Sequence, residues 1–102
     1  MTEQERKEEV FNYFNETIFE PAIQYGKEHN IPKMSQGARY TRMRFQLLSP
    51  DKMIHYFWSA IIGTEKSIPF SKLLKDNNVL RFEDIIDEVR DRFGNEYLNG
   101  GY

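Results

Sequence analysis

The chain has 102 residues, sixteen acidic and fourteen basic, a net charge of −2 and no cysteine. One domain of roughly 100 to 150 residues uses up that length, which excludes a two-lobed enzyme with its site in an interdomain cleft. The missing cysteines exclude thiol catalysis, disulfides and Cys-based metal centres, and the slightly acidic balance excludes a generic polyanion binder that is basic over its whole surface.

Leu, Ile, Val and Phe make up 26 residues, above the roughly 20% below which disorder is the better expectation, so the chain should fold. Residues 1–20 carry six acids and two bases, with no continuous apolar stretch, so neither a secretory signal nor a basic transit peptide is expected. The longest nearly apolar run, 53–62, falls far short of the roughly 20 residues of a membrane span. A soluble, cytoplasmic protein follows as the expectation, with no membrane partner.

In chain order, Phe11, Phe14, Ile18, Ala22 and Tyr25 recur at steps of three and four, which predicts a helix from residue 3 to about 29. Pro21 removes a backbone donor inside it, and a kink or restart is predicted near Glu20. Asn30, Ile31 and Pro32 read as a stop, with Asn tolerating the left-handed cap conformation.

Residues 34–48 fit two periods. As a helix they turn Tyr40, Met43 and Leu47 inward; as a strand, Met43, Phe45 and Leu47. Length and a single β-branched residue, Thr41, favour the helix. Ser49-Pro50-Asp51 then spells a helix start, with a capping hydroxyl, a proline where no donor is needed and an acid against the helix dipole. Its body, 53–62, is apolar around most of its circumference and should be the central buried helix, ended by Gly63. Pro69 opens a short helix with Phe70, Leu73 and Leu74 inward, broken at Asn77 and Asn78. The last helix carries Phe82, Ile85, Ile86, Val89 and Phe93 on one face and stops at Gly94.

These elements predict an all-α domain of four to five helices over residues 1–94, with 95–102 as a flexible tail; the alternative is α+β with 39–48 as a strand. The charge runs −4 over residues 1–20, +4 over 33–52 and −3 over 79–102. Glu88 and Arg92 are spaced as an intrahelical ion pair.

Candidate chemistry is sparse. Asp51 and His55, four apart, place a carboxylate and an imidazole on one helix face, which is ordinarily a core-edge histidine with an acidic neighbour. No nucleophile elbow, zinc-protease helix, phosphate loop or dinucleotide fingerprint occurs. No catalytic residue, metal, cofactor or small-molecule substrate is therefore expected, and an enzyme is not.

The segment 33–52 has the most character. Lys33, Arg39, Arg42 and Arg44 stand among Tyr40, Met43 and Phe45, a mixture that suits an acidic protein partner or a nucleic acid. If helical, it places Arg39, Arg42 and Gln46 on one side and Arg44 elsewhere, and internal ion pairs with the flanking acidic helices compete for the same arginines. Eight Phe, six Tyr and one Trp are many for this length, so some should be exposed at an interface. Phe11, Tyr13, Phe14 and Phe19 cover more than one face of the first helix and are the candidate seam of an oligomer, the alternative being that the second face packs on the last helix of the same chain. The expected function is a small non-catalytic interaction or regulatory protein acting through a protein partner or a second copy of itself. The alternative is a nucleic-acid-binding regulator using Arg39, Arg42 and Arg44.

Overall fold

Most helix boundaries in the computed structural model, which describes residues 1–63 and 67–94, follow from local backbone chemistry. The Thr2 hydroxyl accepts the Glu5 N–H at 3.1 Å, and the Glu5 carboxylate accepts the Thr2 N–H at 3.1 Å, a reciprocal cap on the first turn. The Thr2 backbone N–H, followed by the Thr2 side chain, holds the Glu5 carboxyl below its ordinary range. Helix α1 (Glu3–Phe14) runs through a π-helical turn (Asn15–Phe19) into α2 (Glu20–Glu28). After a short turn come α3 (Pro32–Gln46), α4 (Pro50–Tyr56) with a second π turn (Phe57–Ile62), α5 (Pro69–Asp76) and α6 (Phe82–Phe93). The π turns continue the helices they follow, so the described residues form five helical bodies and no strand. This is an all-α bundle, and the strand alternative for 39–48 is corrected: the stretch lies in α3 up to Gln46.

Two stops share one device. Asn30 and Asn78 adopt the left-handed conformation, at φ 53° and 52°. Ile31 N–H then returns to Gly26 O at 2.7 Å, and Val79 N–H to Leu74 O at 3.1 Å. Both close the Schellman pattern that satisfies the last carbonyls of a helix. Ser49 accepts the Lys52 N–H at 3.3 Å ahead of Pro50, and Gly63 closes the second π turn at φ 89°.

Pro21 does not break the first helix. The π turn lies immediately before it, with Glu20 N–H reaching Asn15 O across the widened ring, which gives the proline ring room without ending the helix. The extra residue per turn also lets consecutive side chains face inward: Ile18 and Phe19 are both buried, as are Phe57 and Trp58 in the second π turn.

The core is aromatic. Phe14 stacks on Phe57 at 5.2 Å between ring centroids and meets Phe45 edge-on at 5.5 Å, and Phe19 meets Phe45 at 5.1 Å. Rings from α1, α3 and the second π turn thus interlock, an arrangement that adds to simple area burial. Of the eight Phe, five are buried: Phe14, Phe19, Phe45, Phe57 and Phe70. Some aromatic surface does show, as expected: Tyr40 is exposed, and Phe11, Tyr25, Tyr56, Phe82 and Phe93 are only part-buried. The last helix faces inward as its spacing predicts, with Ile85 and Val89 buried and Phe82, Ile86 and Phe93 against the core. The Cα radius of gyration, 13.2 Å, is that of one compact domain of about 100 residues. The expected tail, 95–102, lies outside the described residues.

Candidate functional site

The placement of α3 follows from its smallest residues. Gly26 of α2 packs so closely on Ser35 that a Cβ at position 26 would stand 2.3 Å from the Ser35 hydroxyl and 2.9 Å from its backbone nitrogen. Ser35, itself buried, donates to Ile23 O at 3.1 Å. This close approach draws Met34, Ser35, Ala38, Thr41 and Phe45 inward. The opposite side of α3 therefore faces solvent, and it carries Tyr40, Met43 and Leu47, 56%, 53% and 82% exposed. The inward orientation expected for these three is corrected. Their spacing at i, i+3 and i+7 gives one continuous stripe. Among the described residues only Met1 is a further large hydrophobe left exposed.

The basic segment does not form one positive surface. Arg42 turns towards the first helix, where its Nη1 lies 2.6 Å from a Glu20 carboxylate oxygen and 3.2 Å from the Asn15 side-chain oxygen. Arg39 is exposed on the α2 side, beside a shallow depression of about 220 Å³ lined also by Lys27, Asn30 and Gln36. Arg44 is exposed on the α5 side. Its Nη1 stands 3.5 Å from the Tyr40 hydroxyl oxygen, and its guanidinium carbon 5.9 Å from that ring's centre, a loose contact that leaves the fork open to an outside acceptor. The Tyr40 oxygen, with Tyr56 adding to it, raises the Arg44 pKa above its ordinary value. Lys33 is exposed in the first turn of α3. The coherent patch expected from Arg39, Arg42 and Arg44 thus becomes an apolar stripe with one arginine along each edge.

Beside that stripe, between α3 and the start of α5, runs a groove of about 360 Å³ lined by Gly37, Tyr40, Thr41, Arg44, Tyr56, Ile68, Pro69 and Phe70. Gly37 lets α3 approach α5 closely beside it, because a Cβ there would lie 3.2 Å from Phe70 Cβ. Sequence reasoning missed the groove and the stripe's outward aim. The signal lay in the run of small residues at 26, 35, 37 and 38, which marks the close-packed side of α3 and so leaves the larger apolar set outside.

The candidate dimer seam is corrected. Phe14 and Phe19 are fully buried and Tyr13 is 4% exposed, all inside the chain's own core. Tyr13 meets Phe93 at 5.4 Å, and its hydroxyl donates to Glu88 at 2.8 Å, so the second face of the first helix belongs to α6. Of the four, Phe11 keeps a part-exposed side chain, next to Gln4, Lys7 and Gln46. The Glu88 and Arg92 pairing expected within α6 also gives way: Arg92 lies 3.7 Å from Glu9 and over the Tyr13 ring at 4.8 Å.

Asp51 pairs with Arg6 at 2.8 Å, and His55 is exposed. Among the described residues no cluster of three His, Asp or Glu is placed to hold a metal ion, and no helix is long and apolar enough to cross a membrane. The chain matches no known protein family, no curated protein and no solved structure.

Proposed function

We propose that the protein is a small, non-catalytic interaction or regulatory module of the cytoplasm that docks a protein partner on the outer face of α3. One observation carries this: three of the four large hydrophobes exposed among the described residues, Tyr40, Met43 and Leu47, share one side of one helix. Water solvates such a stripe poorly, and a contiguous apolar surface with a polar rim is what a recognition site presents. Arg39 and Arg44 supply that rim. The cysteine-free composition suits a reducing compartment. Burial of Tyr13, Phe14 and Phe19 leaves the first helix little apolar surface for a dimer seam, which favours a different chain as the partner.

Nucleic acid is less favoured. Arg42 is engaged by Glu20, and the two remaining arginines stand on opposite edges of an apolar stripe, which would neutralise too few phosphates for firm binding. The test is selection of binding peptides from a random displayed library, run on the native chain and on a variant with Tyr40, Met43 and Leu47 changed to Ser. Peptides that bind the native chain and not the equally stable variant support the reading. Labelled DNA or RNA bound steeply with salt, and lost on changing Arg39 and Arg44 to Ala, replaces it with the nucleic-acid alternative.

A further inference from the structure

Resting on the reading of α3 as a docking face, we propose that the partner segment is acidic and amphipathic. One aromatic or branched apolar side chain enters the groove between α3 and α5, and a carboxylate about one turn away meets Arg44. The groove, about 360 Å³, lies near the small end of the roughly 300–1,000 Å³ range of ligand clefts, room for an anchoring side chain. Its walls are chiefly apolar, with the buried Thr41 and Phe70 among them and Tyr40, Tyr56 and Ile68 partly open to solvent.

Charge selects the occupant. Among the described residues Arg44 is the one charged residue in that lining, and no acid accompanies it. Its contact is the uncharged Tyr40 hydroxyl, so within the described residues its charge is unbalanced by an ion pair. A guanidinium beside an apolar slot matches a carboxylate bidentately while the neighbouring side chain fills the slot. α3 itself contains no acidic residue. A two-fold pairing of this face with its own copy would therefore set arginine against arginine, and like charges facing each other suppress association. An acidic foreign segment gains from the same arginines that repel a second copy.

The experiment uses the peptides selected above on the full chain, together with Arg44→Gln, an exposed change expected to leave the unfolding midpoint in place. The selected peptides should be rich in an aromatic or branched apolar residue with Asp or Glu within one turn. Arg44→Gln should weaken them about tenfold, as should exchanging the peptide's acid for its amide, and the two losses should not add. Peptides that depend on Tyr40, Met43 and Leu47 yet carry no acid, or ignore Arg44→Gln, overturn this inference and leave the docking face standing. If no selected peptide depends on the three stripe residues, both readings fall. A concentration-dependent dimer that the stripe variant dissociates puts a second copy in the partner's place.

Discussion

Arg42 and Glu20, 22 positions apart in the chain, face each other with 2.6 Å between guanidinium nitrogen and carboxylate oxygen, the arginine side chain 29% and the glutamate 57% exposed. The pair ties α3 to the start of α2 and takes the middle arginine of the basic segment out of any external surface. Half-exposed pairs of this kind are screened, so a double-mutant cycle with Glu20→Gln and Arg42→Ala should give a coupling of about 0.2–1 kcal/mol in urea unfolding. Arg42→Ala should cost more than Glu20→Gln, because it also removes the contact with Asn15. A coupling of zero would return Arg42 to the surface as an available cation.

The second π turn ends on carbonyls that its own helix cannot satisfy, and α5 supplies the donors. Ile68 N–H reaches Ala60 O at 3.2 Å, the fully buried Ser71 hydroxyl donates to Ile61 O, and Lys75 Nζ donates to Ile62 O at 2.7 Å. Ser71→Ala leaves a buried acceptor without this donor and should cost about 1–3 kcal/mol. Lys75→Met, at an exposed position, should cost about 0.5–1.5 kcal/mol at most. Both should appear as a lower urea midpoint with the slope unchanged; a changed slope would mean that the native or denatured state had altered its compactness.

Tyr13 links stability to alkaline pH. Burial, followed by the bond to Glu88, pushes its phenol above the ordinary tyrosine range. The folded chain therefore keeps a proton that the unfolded chain releases near pH 10, so the stabilisation is complete below about pH 10 and is lost as pH rises towards the folded value. Urea midpoints at about pH 8 and about pH 11 should show a drop that is clearly smaller in Tyr13→Phe. An equal drop in both proteins would assign the alkaline loss to other groups.

Much of the helix plan was legible in residue order because its causes are local. Ser49-Pro50, Asn30, Asn78 and Gly63 mark boundaries through backbone geometry that depends on a few neighbouring residues. The face of α3 was not legible. By hydropathy, Met43 and Leu47 are at least as apolar as Ala38 and Thr41, so periodicity alone chose the wrong side. Packing distance decided otherwise, since Gly26 and Ser35 can approach where larger side chains cannot. For Tyr13 and Phe19 residue order left an oligomer seam and packing within the chain both open, and the fold decided between them: a π turn widens the buried side of the first helix, and α6 covers what a single stripe would leave exposed.

Residue order thus determined that the chain is helical, where most helices start and stop, and that its middle is basic between acidic ends. The tertiary structure decided which apolar residues became core and which arginines stayed outside. Capping and turn geometry act over three or four residues, whereas helix approach and the pairing of Glu20 with Arg42 join positions brought together only when the chain closes on itself.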